Sequence, residues 1–199
     1  MTASAATAST SGVAPERPEA APLSLEAGWV RRGAAGDRAA LQAIVRAYQD
    51  RVYGLLLKLS GDRELALDLA QETFLKAFAA LAGFRQGASL GPWLFKIAHH
   101  LFLDHVRKRH PESLDAWLDA GVEPGAADAA IGRIDNDVDL PAAMAQLPPG
   151  WRQAIALRYE ADMPYEAIAE TLDVPVGTVK TWLFRGRDRL KTILQQGAK

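Results

Sequence analysis

The feature that most limits how this chain can fold is the stretch YEAIAETLDVPVGTVKTWLFRGRDRL, residues 165–190, near its C-terminal end. Apolar residues recur there at helical spacing on both sides of a tight connection over residues 173–177. The second helix turns Val179 and Leu183 inward and presents the following side chains outward: Lys180, Thr181, Phe184, Arg185 and Arg187. This pattern predicts a helix-turn-helix unit that binds duplex DNA.

Helical spacing of apolar residues extends over most of the remaining chain. One apolar face lies within residues 41–59, a second within 65–81 and a third within 93–101, and no alternating strand pattern accompanies them. We therefore expect an all-α chain of two small helical domains joined by an acidic flexible linker. The expected order is a disordered tail over 1–24, a first domain over 25–109, the linker over 110–137 and a helix-turn-helix domain over 138–199.

Charge is sorted along the chain, although the formal net charge is only -1. Residues 177–199 hold six basic residues against one acidic residue, whereas residues 110–140 hold eight acidic residues against one arginine. A basic end suits contact with nucleic acid, and an acidic segment must stay solvated or meet a basic partner. The distribution therefore favours a DNA-contacting module beside a solvated connection.

Composition argues against several classes of protein. The 199 residues contain no cysteine, so a disulfide framework, a thiolate metal site and a thiol nucleophile are excluded. No phosphate-binding loop, nucleophile elbow or serine-histidine-aspartate arrangement appears, and we expect no enzymatic activity and no cofactor. No apolar run is long enough to cross a bilayer and no signal peptide opens the chain, so we expect a cytoplasmic protein without membrane insertion.

The four histidines raise a metal hypothesis that their spacing does not favour. His99, His100, His105 and His110 are separated by one, five and five positions, whereas a metal pair on a helix needs a spacing of three or four. We expect no metal site. His99 and His100 are instead expected to form a DNA-facing or partly buried pair.

The helix expected over residues 62–81 has a second face that its core does not use. Leu67, Gln71 and Leu75 are spaced four apart on that face. Acidic residues surround them: Glu64, Asp68 and Glu72. The face is either a solvated surface with stray leucines, which are common, or a docking surface for a basic helical partner.

A loop and a basic helix form a further candidate site. The loop FRQGASLG, residues 84–91, is glycine-rich and polar and contains an aromatic and an arginine. The helix that follows places a partly basic stripe on one face: Lys96, His100, Leu103 and Arg107. Such a loop can hold an unstacked base while a basic helix holds the backbone, but an ordinary interhelical loop remains an equal alternative from the residues alone.

Four strings in the chain carry a resemblance to a known family. They are YQDRVYGLLLKLSGDRELALDLAQETFLKAF, PWLFKIAHHLFLDHVRKR, LPPGWRQAIALRY and YEAIAETLDVPVGTVKTWLFRGRDRL, in that order. Together they resemble the extracytoplasmic-function (ECF) sigma factors of bacterial RNA polymerase. The resemblance implies a sigma region-two domain, a linker and a region-four helix-turn-helix domain, without the central domain of larger sigma factors.

The resemblance also implies roles for individual residues. Docking on the clamp helices of the largest polymerase subunit falls to Asp68, Gln71, Glu72 and Leu75. Reading and melting of the minus-ten element falls to Phe84, Arg85, Gln86, Ser89, Trp93, Lys96, His100 and Arg107. Contact with the minus-thirty-five element falls to Thr178, Lys180, Thr181, Phe184, Arg185 and Arg187. The implied partners are core RNA polymerase, promoter DNA and an anti-sigma factor.

Some positions depart from the common family pattern. The family often has an aromatic residue where Leu90 stands, a bulky or basic residue at Gly91 and an asparagine at His100. These three differences leave the base preference at the minus-ten element open. Trp182 stands where an arginine is frequent, and Gly186, where alanine is frequent, costs about 1 kcal/mol of helix propensity. The alternative functions are a one-component helix-turn-helix regulator, which usually reads paired half-sites as a dimer, and a protein-binding adaptor.

Overall fold

The computed structural model describes residues 23–85, 87–109 and 140–197. The regular elements in these ranges are α-helices, apart from a short 3-10 turn at Leu81–Gly83, which confirms the all-α prediction. In chain order the helices are α1 (Leu23–Ala34), α2 (Arg38–Ser60), α3 (Arg63–Ala80), α4 (Leu90–Arg109), α5 (Leu140–Ala145), α6 (Pro149–Tyr159), α7 (Tyr165–Leu172) and α8 (Val176–Gly197).

The expected disordered tail and acidic linker lie almost wholly outside the described residues, as does Gln86. The domain boundaries therefore stay predictions. None of the described helices is long and apolar enough to cross a membrane.

Local capping fixes the helices of the first domain. The Asp37 carboxylate accepts hydrogen bonds from the backbone N–H groups of Ala39 (2.8 Å) and Ala40 (3.3 Å) at the start of α2. Gly61 ends α2 with a φ of 69°, and Asp62 caps α3 in the same way as Asp37 caps α2. Helices α1 to α4 pack their apolar faces together in a shared hydrophobic core.

The second domain begins where the sequence predicts a stop and a new start. Pro149 occupies the first turn of α6, where its missing N–H is not needed. Helix α7 ends at Asp173, which has a φ of 53°, and the Val174 N–H then donates to the Ala169 carbonyl at 3.1 Å. This left-handed residue produces the sharp turn that separates α7 from α8 and completes the helix-turn-helix.

The two helical units pack against each other and share one hydrophobic cluster. Helix α2 contacts α5 and α6, and α4 contacts α7. Arg51 of α2 donates to the carbonyl of Ala161 at 2.8 Å, and Lys58 forms an ion pair with Glu160. Helix α4, which carries four of the eight expected minus-ten residues, thus lies against the helix-turn-helix domain.

Candidate nucleic-acid and polymerase interfaces

Helix α8 presents a polar and basic face to solvent, as the sequence indicates. Phe184 is 67% exposed, although it is a large apolar residue. Lys180, Thr181, Arg185 and Arg187 are also exposed, whereas Thr178 is half-buried. Val179 and Leu183 are buried on the opposite side. An unburied phenylalanine between cations suits contact with the apolar and anionic surfaces of a DNA groove.

Close packing against α6 fixes the orientation of α8. A Cβ atom on Gly186 would lie 2.6 Å from Cδ1 of Ile155, and a Cβ atom on Gly150 would lie 2.9 Å from the Trp182 ring. Both glycines therefore allow a close approach of the two helices. Trp182, which stands where the family often has an arginine, packs inside its own domain against the start of α6.

Arg187 differs from Phe184 in its surroundings, although both side chains are exposed on α8. The Arg187 guanidinium lies 3.4 Å from the Tyr159 hydroxyl, to which it donates a hydrogen bond. Arg187 also lines an open groove of about 500 Å³ along α8, together with Leu190, Lys191, Leu194 and Gln195. Arg187 is thus held toward the α6 side of the helix, one turn nearer the C-terminal end than Phe184.

The described minus-ten residues extend from the loop before α4, through its first turn, to Arg107 in its last turn. Phe84 and Trp93 are half-buried and meet edge to face, with their ring centroids 5.0 Å apart. The exposed residues of this surface are Arg85, Ser89, His100 and Arg107, and Arg107 forms an ion pair with Asp104 at 3.0 Å. The loop is therefore tied to α4 by an aromatic contact and keeps its polar side chains available.

Contacts with the second domain occupy part of this surface. The Lys96 ammonium group lies 2.6 Å from a carboxylate oxygen of Glu170 on α7. This ion pair lowers the pKa of Glu170, first through its hydrogen bond from Lys96 and then through the charge of Lys96. An expected DNA contact thus already has an anionic partner within the chain.

His99 is fully buried, whereas His100 is exposed. The expectation of a DNA-facing or partly buried pair is therefore wrong for His99. Its Nε2 donates to the side-chain oxygen of Gln153 on α6 at 2.7 Å. The pKa of His99 is lowered to about 4, mainly by burial and to a lesser extent by the nearby His100, against the opposing effect of the Gln153 hydrogen bond. His99 is therefore a neutral residue of the domain interface.

The outer face of α3 is exposed as the spacing predicts. Leu67 is 52% exposed and Leu75 is 71% exposed. Asp68, Gln71 and Glu72 are exposed beside them, and Glu72 forms an ion pair with Lys76 at 3.3 Å. Two exposed leucines within an acidic surround form a compact candidate surface for a basic protein partner.

Sequence reasoning missed Glu26 of α1. This residue is only 4% exposed, and its carboxylate accepts hydrogen bonds from the Tyr48 hydroxyl and from the Leu90 N–H, the latter at 3.1 Å. The only local signal is an acidic residue among the apolar positions of a short helix. Within the described ranges, histidine and acidic residues form no group of three that could hold a metal ion.

Comparison with known proteins identifies the class to which this arrangement belongs. The chain matches Sigma-70 region 2 over residues 44–112 and Sigma-70 region 4 over residues 137–190. It is 38% identical over 168 residues to the ECF RNA polymerase sigma factor SigE of Mycolicibacterium smegmatis, covering 81% of this chain and 65% of that relative. It is 33% identical over 174 residues to the ECF RNA polymerase sigma factor SigW of Bacillus subtilis, covering 80% of this chain and 91% of SigW.

Solved structures agree with the sequence matches. The sigma factor RpoE of Bartonella quintana, solved in complex with the anti-sigma factor NepR, is 29% identical, with a TM-score of 0.62 over 77% of this chain and 96% of that one. CnrH, solved with the cytosolic domain of CnrY, gives the same TM-score at 20% identity and supports the fold alone.

The chain therefore belongs to the ECF sigma factors, which confirms the resemblance read from the four strings. It is an alternative sigma factor that directs RNA polymerase to promoters. The matches give no support to a one-component regulator. The chain spans 65% of the length of the M. smegmatis relative.

Proposed function

We propose that this sigma factor docks on the clamp helices of the largest polymerase subunit through Asp68, Gln71, Glu72 and Leu75. The observation that carries the assignment is the exposure of two leucines on the same acidic face of α3, Leu67 at 52% and Leu75 at 71%, because an apolar patch rimmed by polar residues is typical of a protein-binding surface. The acidic neighbours add complementarity to a basic helical surface and increase the rate of encounter.

Promoter recognition is divided between the two domains in this proposal. The α8 face reads the minus-thirty-five element as duplex DNA, since a helix of this type enters the major groove. The loop and the start of α4 hold the minus-ten element after its bases leave the stack. The protein supplies recognition and strand separation without an enzymatic step of its own, and it acts in the cytoplasm beside the polymerase.

The described conformation precedes promoter binding in this scheme. Lys96 of α4 is paired with Glu170 of α7. In the neighbouring turn of α4, the buried His99 side chain is hydrogen-bonded to Gln153 of α6. A DNA backbone that follows the basic stripe of α4 would need the position that α7 occupies. The two domains must therefore separate before both promoter elements are read, and an anti-sigma factor that held the closed form would block this step.

Reconstituted transcription tests the proposed function. Core polymerase with this protein should start RNA synthesis at defined sites on a pool of genomic fragments, and core polymerase alone should not. Sequencing of the RNA starts should reveal shared elements upstream of each start. Specific DNA binding as a dimer without polymerase would instead support the one-component regulator.

Domain separation is measured by energy transfer between two dyes. The chain lacks cysteine, so cysteines introduced at the exposed positions Gln42 of α2 and Gln195 of α8 are labelled without a background. Transfer should be high in the free protein and should fall when core polymerase and promoter DNA are added. Equal transfer in both states would contradict the separation.

A further inference from the structure

The buried carboxylate of Glu26 joins three helices of the first domain. Glu26 lies on α1, the Tyr48 hydroxyl that donates to it belongs to α2, and the Leu90 N–H that donates to it begins α4. A carboxylate that is 4% exposed must be well hydrogen-bonded to be tolerated in such a position. Burial and the Glu26 hydrogen bond also raise the pKa of Tyr48, so Tyr48 remains a hydroxyl donor.

This carboxylate acts as a cap that comes from a distant part of the chain. The first N–H groups of any α-helix have no partner within the helix, and a negative charge near them is stabilising. Helix α4 has no acidic residue in its own first turn. Glu26, which is 64 residues away in sequence, takes that place by accepting from Leu90. The start of α4 is thereby fixed relative to α1.

The same point is the junction between the loop and α4. The sequence places the end of the loop at Gly91, but α4 begins at Leu90, so the loop ends at Ser89, directly before the capped residue. Trp93 follows within the first turn and meets the Phe84 ring. Gly91 leaves room for the Tyr48 ring, because a Cβ atom there would lie 3.2 Å from the ring carbon Cε1. Glu26 and Tyr48 together hold this junction from behind, on the side away from solvent.

We propose that Glu26 is a positioning residue for minus-ten recognition, which sets the register of the loop against α4 without touching DNA. The inference rests on the proposed function of the loop. It predicts that loss of the carboxylate loosens base preference at the minus-ten element while the minus-thirty-five preference is kept. A residue that contributed only to folding would reduce both preferences, or neither.

The test compares holoenzymes in a selection from promoter duplexes in which either the minus-ten or the minus-thirty-five segment is randomised. Glu26→Met keeps the length of the side chain and removes the acceptor. The double variant Glu26→Met with Tyr48→Phe also removes the hydroxyl that would be left without a partner, which protects folding. Glu26→Gln keeps an oxygen that can accept from Leu90. Asp37→Ala is the matched control, because it removes a cap in the same domain at the start of α2.

Both Met variants should reduce the enrichment of the best minus-ten base over the others by about tenfold at one or more positions, the size of a lost base contact. Glu26→Gln should restore most of that preference, and Asp37→Ala should keep all of it. Hydrogen exchange at the Leu90 amide should be faster in the Met variants alone.

Unchanged minus-ten preference in the folded double variant, or an equal loss in Asp37→Ala, would overturn the positioning role. If the parent holoenzyme enriched minus-thirty-five sequences and no minus-ten sequence, the proposed function of the loop would fail, and the role of Glu26 with it. The two failures are distinguishable, because the parent holoenzyme still selects minus-ten sequences when only the role of Glu26 is wrong.

Discussion

Acid should destabilise this protein through the buried imidazole of His99. His99 has a pKa of about 4 in the folded protein, against an ordinary value of 6.5. The unfolded chain therefore binds more protons than the folded protein between these values, so the free energy of unfolding falls as pH falls from 6.5 through 4. Above pH 6.5 the contribution is fully present, because the imidazole is neutral in both states.

The size of the effect follows from the shift in pKa. Each unit corresponds to about 1.36 kcal/mol, so the whole shift amounts to about 3 kcal/mol, of which about 2 kcal/mol is lost between pH 7 and pH 5. His99→Gln provides the comparison, because glutamine does not titrate and still carries a donor that can meet Gln153. The difference between parent and variant isolates His99 from every other titrating group.

Urea unfolding at pH 7, 6 and 5, followed by the fluorescence of the five tryptophans, measures this difference. The parent should lose about 2 kcal/mol more than His99→Gln over that range. Because Gln153 belongs to the second domain, energy transfer between labelled domains should fall over the same range in the parent alone. Equal pH dependence in the two proteins would refute the assignment of His99 as a buried, neutral interface residue.

Three further predictions concern the exposed surfaces and the packing of α8. Gln71→Lys with Leu75→Glu should weaken binding to core polymerase at least tenfold in a fluorescence titration, roughly the cost of disturbing an interface anchor, while circular dichroism stays unchanged. Arg185→Ala should cost about 1–3 kcal/mol and relax preference at one minus-thirty-five position, whereas Arg187→Ala should weaken all sequences alike and reduce the salt slope by about one. Gly186→Ala should lower stability by about 1 kcal/mol in thermal unfolding, since overpacking against α6, at about 1–3 kcal/mol, outweighs a gain of about 1 kcal/mol in helix propensity. The first prediction is contradicted if the Gln71 and Leu75 variant binds polymerase as well as the parent. The second is contradicted if Arg185→Ala weakens binding to all sequences equally, and the third if Gly186→Ala raises the melting temperature.

Local rules were sufficient for the helices and for the faces they expose. The spacing of Leu67, Gln71 and Leu75 indicates an outward face because helical geometry repeats every 3.6 residues, and the structure leaves these side chains exposed. The helix-turn-helix is readable for the same reason. Whether these faces bind polymerase and DNA through the named residues remains a prediction.

Contacts between residues far apart in sequence were not accessible to such rules. Gln153 lies 54 residues from His99, and no periodicity connects them. Glu26 is read from the sequence as one more acidic residue, since its role depends on where α4 begins in space. Gly186 shows the same limit: helix propensity counts it as a cost, whereas in the structure a Cβ atom there would lie 2.6 Å from Cδ1 of Ile155, which would have to move.

If the two helical units must separate before promoter binding, a tighter interface between them raises thermal stability and lowers activity. In a population that interconverts between closed and open forms, apparent affinity for a ligand of the open form falls in proportion to the open fraction, so one open molecule in a hundred weakens binding about a hundredfold. Substitutions that improve the packing around Gln153 or the pairing of Lys96 would raise the melting temperature and lower that fraction. Selection for thermal tolerance alone would accordingly collect sigma factors that fold well and transcribe poorly.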